Sequence, residues 1–118
     1  MTRSMTLFEP GDIVLVPFPF TDFSTFKQRP CVVLSSARFN RFHPDIILAA
    51  ITSQLSGRRS EDEYVLTEKE QIISGLPKPS MVKAGKIITI DQRLIRKSLG
   101  RLPTASIRRI RALVHRII

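Results

Sequence analysis

The sequence predicts a mainly β chain closed by one C-terminal α-helix, arranged as a small, partly closed antiparallel barrel. Three observations carry that expectation. Apolar runs of strand length recur between turn-forming residues at 12–16, 30–36 and 45–52. Only after Pro103 does the hydrophobic period become helical. A chain of 118 residues, 42% hydrophobic and 25% charged, supplies one core and is too short for two, so residues 1–118 read as a single domain.

Taken in order, Pro10-Gly11 precedes a β-rich run, Asp12 to Val16, and Pro17-Phe-Pro19 is expected to end it because proline has no N–H to give a ladder. Residues 17–28 then read as a loop, unusually apolar, with Phe18 and Phe20 expected to pack and Phe23 and Phe26 to be exposed. Pro30 to Ser36 and Asp45 to Thr52 are continuous apolar runs, as central strands require. Glu61-Asp-Glu63 leads into Tyr64-Val-Leu66, a short edge strand whose charges discourage pairing with another chain. Thr67 to Glu70 can form a helical turn, and Gly75-Leu-Pro-Lys-Pro79 is a loop. Ser80 to Lys83 and Gly85 to Ile90 follow as adjoining strand segments, with a bulge or bend at Ala84-Gly85. In the closing helix Ile107, Ile110, Val114 and Ile117 form the apolar stripe, flanked by Leu113 and Ile118, with Thr104 or Ser106 as its cap.

Composition narrows the function classes. One cysteine, Cys31, leaves no internal disulfide, and with two histidines it gives no recognisable metal-ligand cluster; no cofactor is implied. No apolar stretch approaches the roughly 20 residues that cross a bilayer, and the first 15 residues lack a signal-peptide pattern, so a cytoplasmic location is expected. The net charge of +9 is uneven: residues 78–118 hold 11 basic residues against Asp91 alone, net +10, while residues 1–77 sum to −1. A polyanion or an acidic protein is the partner such a balance suits.

No phosphate-binding glycine loop, nucleophile elbow or His/Glu metal spacing occurs. The remaining chemistry lies at strand ends. Arg29 directly precedes Pro30 and a buried strand, where its planar fork would be held by a rigid element; from position alone it is also an ordinary surface arginine ending a loop. Thr52, Ser53 and Gln54 end the longest apolar run, where three polar side chains can either satisfy their own turn or present donors outward. His43 and His115 have no nucleophile paired with them, Cys31 reads as a packed, inert thiol, and Asp91 either caps the turn after Ile90 or serves a site.

Ordered blocks of sequence sharpen this picture: Pro10-Gly-Asp-Ile-Val-Leu-Val-Pro-Phe-Pro-Phe-Thr-Asp22, Lys27-Gln-Arg-Pro-Cys-Val-Val-Leu-Ser35, Ile51-Thr-Ser-Gln54, Gly75-Leu-Pro-Lys-Pro-Ser80, Ile88-Thr-Ile-Asp-Gln-Arg-Leu94 and Leu99-Gly-Arg-Leu102. Over nearly the whole chain they resemble the MazF/PemK family of toxin endoribonucleases from type II toxin–antitoxin pairs, and the first and fourth blocks look most like its PemK-like branch. The resemblance implies an SH3-like barrel with a C-terminal helix (the MazF/PemK/CcdB-like fold), a homodimer, and an acidic antitoxin as partner. It implies metal-independent cleavage of single-stranded messenger RNA, in which the substrate's 2′-hydroxyl attacks the adjacent phosphate to leave a cyclic phosphate.

By the same resemblance Arg29 and Thr52 are the catalytic pair, Arg29 supplying charge and Thr52 a hydrogen bond to the phosphate. Lys27, Gln28, Ser53, Gln54 and Lys83 would bind substrate, with Phe23 and Phe26 stacking on bases, and the basic C-terminal segment would form the wall that attracts RNA phosphates. PemK-like relatives often carry an Arg-x-Asp triplet where Lys83-Ala84-Gly85 stands, with its Asp proposed as general base. Here the segment keeps a cation and has no carboxylate. The alternative is a non-catalytic toxin or binding module of the same fold, acting on a protein or nucleic-acid partner.

Overall fold

The computed structural model of the chain describes residues 7–19 and 26–118. Within them run β1 (Asp12–Pro19), β2 (Phe26–Val33), β3 (Asp45–Thr52), β4 (Glu63–Val65), β5 (Met81–Asp91) and β6 (Lys97–Arg101). All neighbours pair antiparallel in one curled sheet ordered β4-β5-β3-β2-β1-β6. Three helices, α1 (Ala37–Phe42), α2 (Glu68–Ile73) and α3 (Thr104–Ile117), follow β2, β4 and β6. The two apolar runs expected to be central, β2 and β3, occupy the middle of the sheet, and β4 is an edge.

Both faces of the sheet are apolar, so β2 and β3 read as continuous apolar runs without polar alternation. On one face α3 lays Ile107 and Ile110 against Ile13, Val32, Ala49, Ile51 and Val82. On the other, Val14, Val16, Cys31, Val33, Ile46 and Leu48 pack with Phe8 and Ile90 as the sheet curls, and Phe18 joins them as expected. Residues 84–86 form a bulge in β5, because Ala49 pairs with Ile87 while its neighbour Ala50 pairs with Lys83. The two expected segments are thus one bent strand.

The loop expected over 17–28 is shorter than predicted. β1 continues to Pro19, paired with β2 through Pro17↔Gln28 and Pro19↔Phe26. The prolines are tolerated because they share the orientation of Leu15, whose carbonyl accepts from Arg96 on the β6 side. The last β1–β6 pair is Leu15↔Lys97, so beyond it the missing N–H groups face an edge that no described strand pairs. Phe20 and Phe23, and the side chain of Phe26, lie outside the described residues.

Two elements escape the sequence pattern. α1 is a short helix in which the Ser36 hydroxyl accepts from the Phe39 N–H at 3.0 Å, and buried Asn40 donates to the carbonyls of Phe8 and Ser35. β6 is polar and contains Gly100; its pairing with β1, reinforced by Arg101 Nε on Asp12 Oδ1 at 2.5 Å, makes it a strand. The expected cap of α3 is also corrected: Pro103 is the N-cap and no side chain caps the helix. Thr104 makes no cap, and Ser106 instead donates to buried Glu70 at 2.5 Å, joining α3 to α2.

The curl is closed where α2 ends. Gly75 has φ +71°, and a side chain there would run into the Leu99 carbonyl of β6, while one at Gly100 would strike the backbone of Ile73 and Ser74. Two absent side chains let these backbones touch and bring the Gly75–Ser80 loop over the mouth of the sheet.

Candidate functional site

β2 and β3 pair through Cys31↔Ala50, Val32↔Ala49 and Val33↔Leu48. Continued by two residues, that register sets Arg29 opposite Thr52, with Val16 beside Arg29 on β1 and Met81 beside Thr52 on β5. Residues opposite one another in an antiparallel ladder share a face, so this row projects to the side away from α3. One row further along, Ala50, Lys83 and Glu63 stand side by side across β3, β5 and β4. Apart from buried Val16, the two rows line a groove of about 350 Å³ that also includes Gln54 and Lys86.

A second groove, of about 590 Å³, opens under the Gly75–Ser80 loop and is lined by Lys27, Gln28, Ser53 and Lys78. Arg29, Thr52 and Gln54 line both grooves and stand where they meet. Among the described residues the two grooves together bear five cations, Lys27, Arg29, Lys78, Lys83 and Lys86, against one carboxylate, Glu63. An extended anionic chain crossing this rim meets positive charge on both sides.

Local bonding sets what these groups can offer. Thr52 Oγ1 accepts the Gln54 N–H at 3.1 Å, closing the turn that ends β3 while leaving the hydroxyl proton to donate. Lys83 Nζ donates to Glu63 Oε2 at 2.7 Å, and the Ser60 N–H donates to Glu63 Oε1 at 3.0 Å. The Lys83 hydrogen bond above all, then the Ser60 amide, holds the Glu63 carboxyl below its usual range. Asp62 ties β4 to the bulge of β5: its carbonyl accepts from the Ala84 N–H at 2.8 Å and its carboxylate from the Gly85 N–H at 3.1 Å. The Ser60 hydroxyl also bonds Asp62, and it is the main reason that this carboxyl too lies low. A Cβ at Gly85 would sit 2.8 Å from Asp62 Oδ2, so an acid from the neighbouring strand fills the space a residue-85 side chain would take.

Of the residues singled out in the sequence, Lys27, Gln28, Arg29, Thr52, Ser53, Gln54 and Lys83 all line this pair of grooves. Phe23, and the side chain of Phe26, lie outside the described residues. Several others are placed elsewhere. His43 is exposed and stacks on Phe39 with ring centroids 4.1 Å apart, and His115 is exposed on α3. Asp91 caps the turn after β5 through the Arg93 N–H at 2.8 Å. Cys31 is fully buried, which pushes its thiol up to about 12 despite the nearby Arg29 charge, and it is inert at neutral pH.

The basic C-terminal segment divides. Lys78, Lys83 and Lys86 line the grooves, but no α3 arginine does, and Arg111 is occupied in donating to the Leu34 carbonyl at 2.7 Å. Sequence reasoning missed Glu63 as a groove residue. Its acidic run looked like edge protection, and only the Glu63↔Lys83 register shows that it reaches inward.

Residues 9–118 match the family described as PemK-like, MazF-like toxins of type II toxin–antitoxin systems. No curated protein matches the chain. Among solved structures, MazF from Deinococcus radiodurans superimposes with a TM-score of 0.75 at 20% identity, covering 96% of this chain and 97% of that one. An endoribonuclease from a mycobacterial species gives 0.74 at 16% identity, covering 97% and 93%. A mycobacterial endoribonuclease in complex with its cognate antitoxin gives 0.72 at 16%, covering 92% and 91%. At these identities the likeness establishes a common fold, the curled antiparallel half-barrel with its C-terminal helix.

Proposed function

The chain belongs to the PemK-like, MazF-like toxins of type II toxin–antitoxin systems, and on that premise we propose that it is a metal-independent endoribonuclease that cleaves single-stranded messenger RNA. The observation that carries the proposal is the placement of Arg29 opposite Thr52 at the joint of two cationic grooves. A phosphodiester held there gains charge neutralisation from the guanidinium and a hydrogen bond from the threonine hydroxyl. Both strengthen as the phosphate becomes a pentavalent, more highly charged phosphorane. The nucleophile is the substrate's own 2′-hydroxyl, so the products are a cyclic phosphate and a 5′-hydroxyl, and DNA, lacking that group, is not cut.

Ser53, Gln54, Lys27, Gln28 and Lys83 bind flanking nucleotides in this scheme, because they occupy the grooves on either side of the joint. The natural inhibitor is an acidic antitoxin whose carboxylates compete with RNA for the same cations, and the working form is a homodimer in the cytoplasm, where messenger RNA is found. The test is incubation of purified protein with a single-stranded RNA pool in EDTA. Cleavage by the wild-type chain and a fall of about 10²–10³-fold with Arg29→Ala at unchanged melting temperature are expected. Uncut RNA, or equal cleavage by both, contradicts the proposal, and RNA bound without cleavage favours the non-catalytic binding module.

A further inference from the structure

Attack by a 2′-hydroxyl needs a group to receive its proton, and the described groove residues offer few. The Arg29 guanidinium has donors and no acceptor, the Thr52 Oγ1 is already accepting from Gln54, and neither histidine lines a groove. Among the described residues Glu63 is the sole carboxylate lining either groove; its side chain is 6% exposed, and it shares the first groove with Arg29 and Thr52. Its position is built. Asp62 pins the start of β4 to the β5 bulge by two hydrogen bonds, the Ser60 amide holds one carboxylate oxygen, and Lys83 holds the other.

We propose that Glu63 is the proton acceptor of the cleavage site, an assignment that rests on the ribonuclease reading above. The carboxylate takes the proton of the 2′-hydroxyl as O2′ bonds to phosphorus and the bond from phosphorus to O5′ breaks. The departing O5′ takes a proton from a solvent water, and the hydroxide so formed recovers the proton from Glu63, so the enzyme ends as it began. In the free protein the Lys83 hydrogen bond occupies one Glu63 oxygen and holds the carboxyl below its usual range. A phosphate entering the groove competes for that ammonium and frees a carboxylate oxygen as the nucleophile arrives. The edge strand thereby supplies the acid that Gly85 of β5 cannot.

The test compares wild-type chain with Glu63→Gln, Glu63→Asp and Lys83→Met on a single-stranded RNA oligonucleotide in EDTA, measuring kcat, KM and the pH profile of kcat/KM alongside the melting temperature. For Glu63→Gln, kcat falls by about 10²–10⁴-fold with KM within about twofold, and the acid limb of the profile disappears. Lys83→Met keeps the limb but moves it to higher pH, because the cation that holds the Glu63 carboxyl down is gone. A purely positioning Glu63 would make Lys83→Met and Glu63→Gln alike, with neither shifting the limb. Glu63→Asp, which keeps the charge and shortens the reach, retains the limb at reduced kcat and carries the test if the glutamine variant does not fold. Full activity of Glu63→Gln, loss through KM alone, or an acid limb that survives the substitution overturns the Glu63 assignment while leaving the ribonuclease standing. Uncut RNA with the wild-type chain overturns both.

Discussion

Thr52 serves the fold and the proposed chemistry with different atoms of one hydroxyl. Its oxygen accepts from Gln54 to end β3, and its hydrogen remains for a ligand. Gly85 illustrates the opposite case, a residue that makes room for another. Replacing it by Asp, which restores the carboxylate of PemK-like relatives, is expected to cost stability, because the new Cβ meets Asp62 Oδ2 at 2.8 Å and a second negative charge enters the same space. Thermal melting of Gly85→Asp should show a drop corresponding to about 1–3 kcal/mol without any gain in cleavage rate; a stable, faster variant would contradict this reading. The positions of Arg29 and Thr52 were legible in the sequence because each flanks an apolar run, Arg29 just before one and Thr52 at the end of another, while the roles proposed for them came from the family resemblance. Glu63 was not, because its role depends on the β4–β5 register, and no local pattern encodes which strand an edge segment will join.

At the scale of elements, buried Glu70 of α2 holds three pieces of the fold together. It accepts from Tyr64 of β4 at 2.7 Å, from Ser106 of α3 at 2.5 Å, and from the Thr67 N–H in a capping box. Burial raises its pKa, but the hydrogen bonds from Ser106, Thr67 and Tyr64 outweigh this and leave the carboxyl below its ordinary value of 4.5. A depressed carboxyl stabilises the fold above that value, and the contribution fades as pH falls through the lower folded value. Denaturation of Glu70→Gln is therefore expected to show a loss of about 1–3 kcal/mol at neutral pH and a shallower fall of stability in acid; an unchanged acid slope would refute the role. The strands with continuous apolar runs and the amphipathic helix were legible in sequence because burial on both faces or one stripe writes itself into composition. β6 and the extension of β1 through two prolines were not, since they depend on which side of a strand is left unpaired.

At the scale of the whole molecule, the +9 charge is not one field with one task. Among the described residues five cations gather in the grooves, while the α3 arginines lie outside them. Neutralising Lys78 and Lys86 together should weaken RNA binding and flatten the plot of log affinity against log salt by about 1.4, close to 0.7 for each phosphate no longer neutralised. An unchanged slope would place the RNA elsewhere, the α3 surface being the next most basic region. Overall charge balance predicted a polyanion partner, yet only the fold distinguishes the lysines that line a groove from the arginines that do not. The central claim is cleavage by 2′-hydroxyl attack at the Arg29–Thr52 joint, and its most direct measurement is the mass of the fragments released from a single-stranded RNA in EDTA. The fragments expected are an upstream one ending in a 2′,3′-cyclic phosphate and a downstream one beginning with a 5′-hydroxyl; a 5′-phosphate beside a free 3′-hydroxyl would exclude attack by the 2′-hydroxyl.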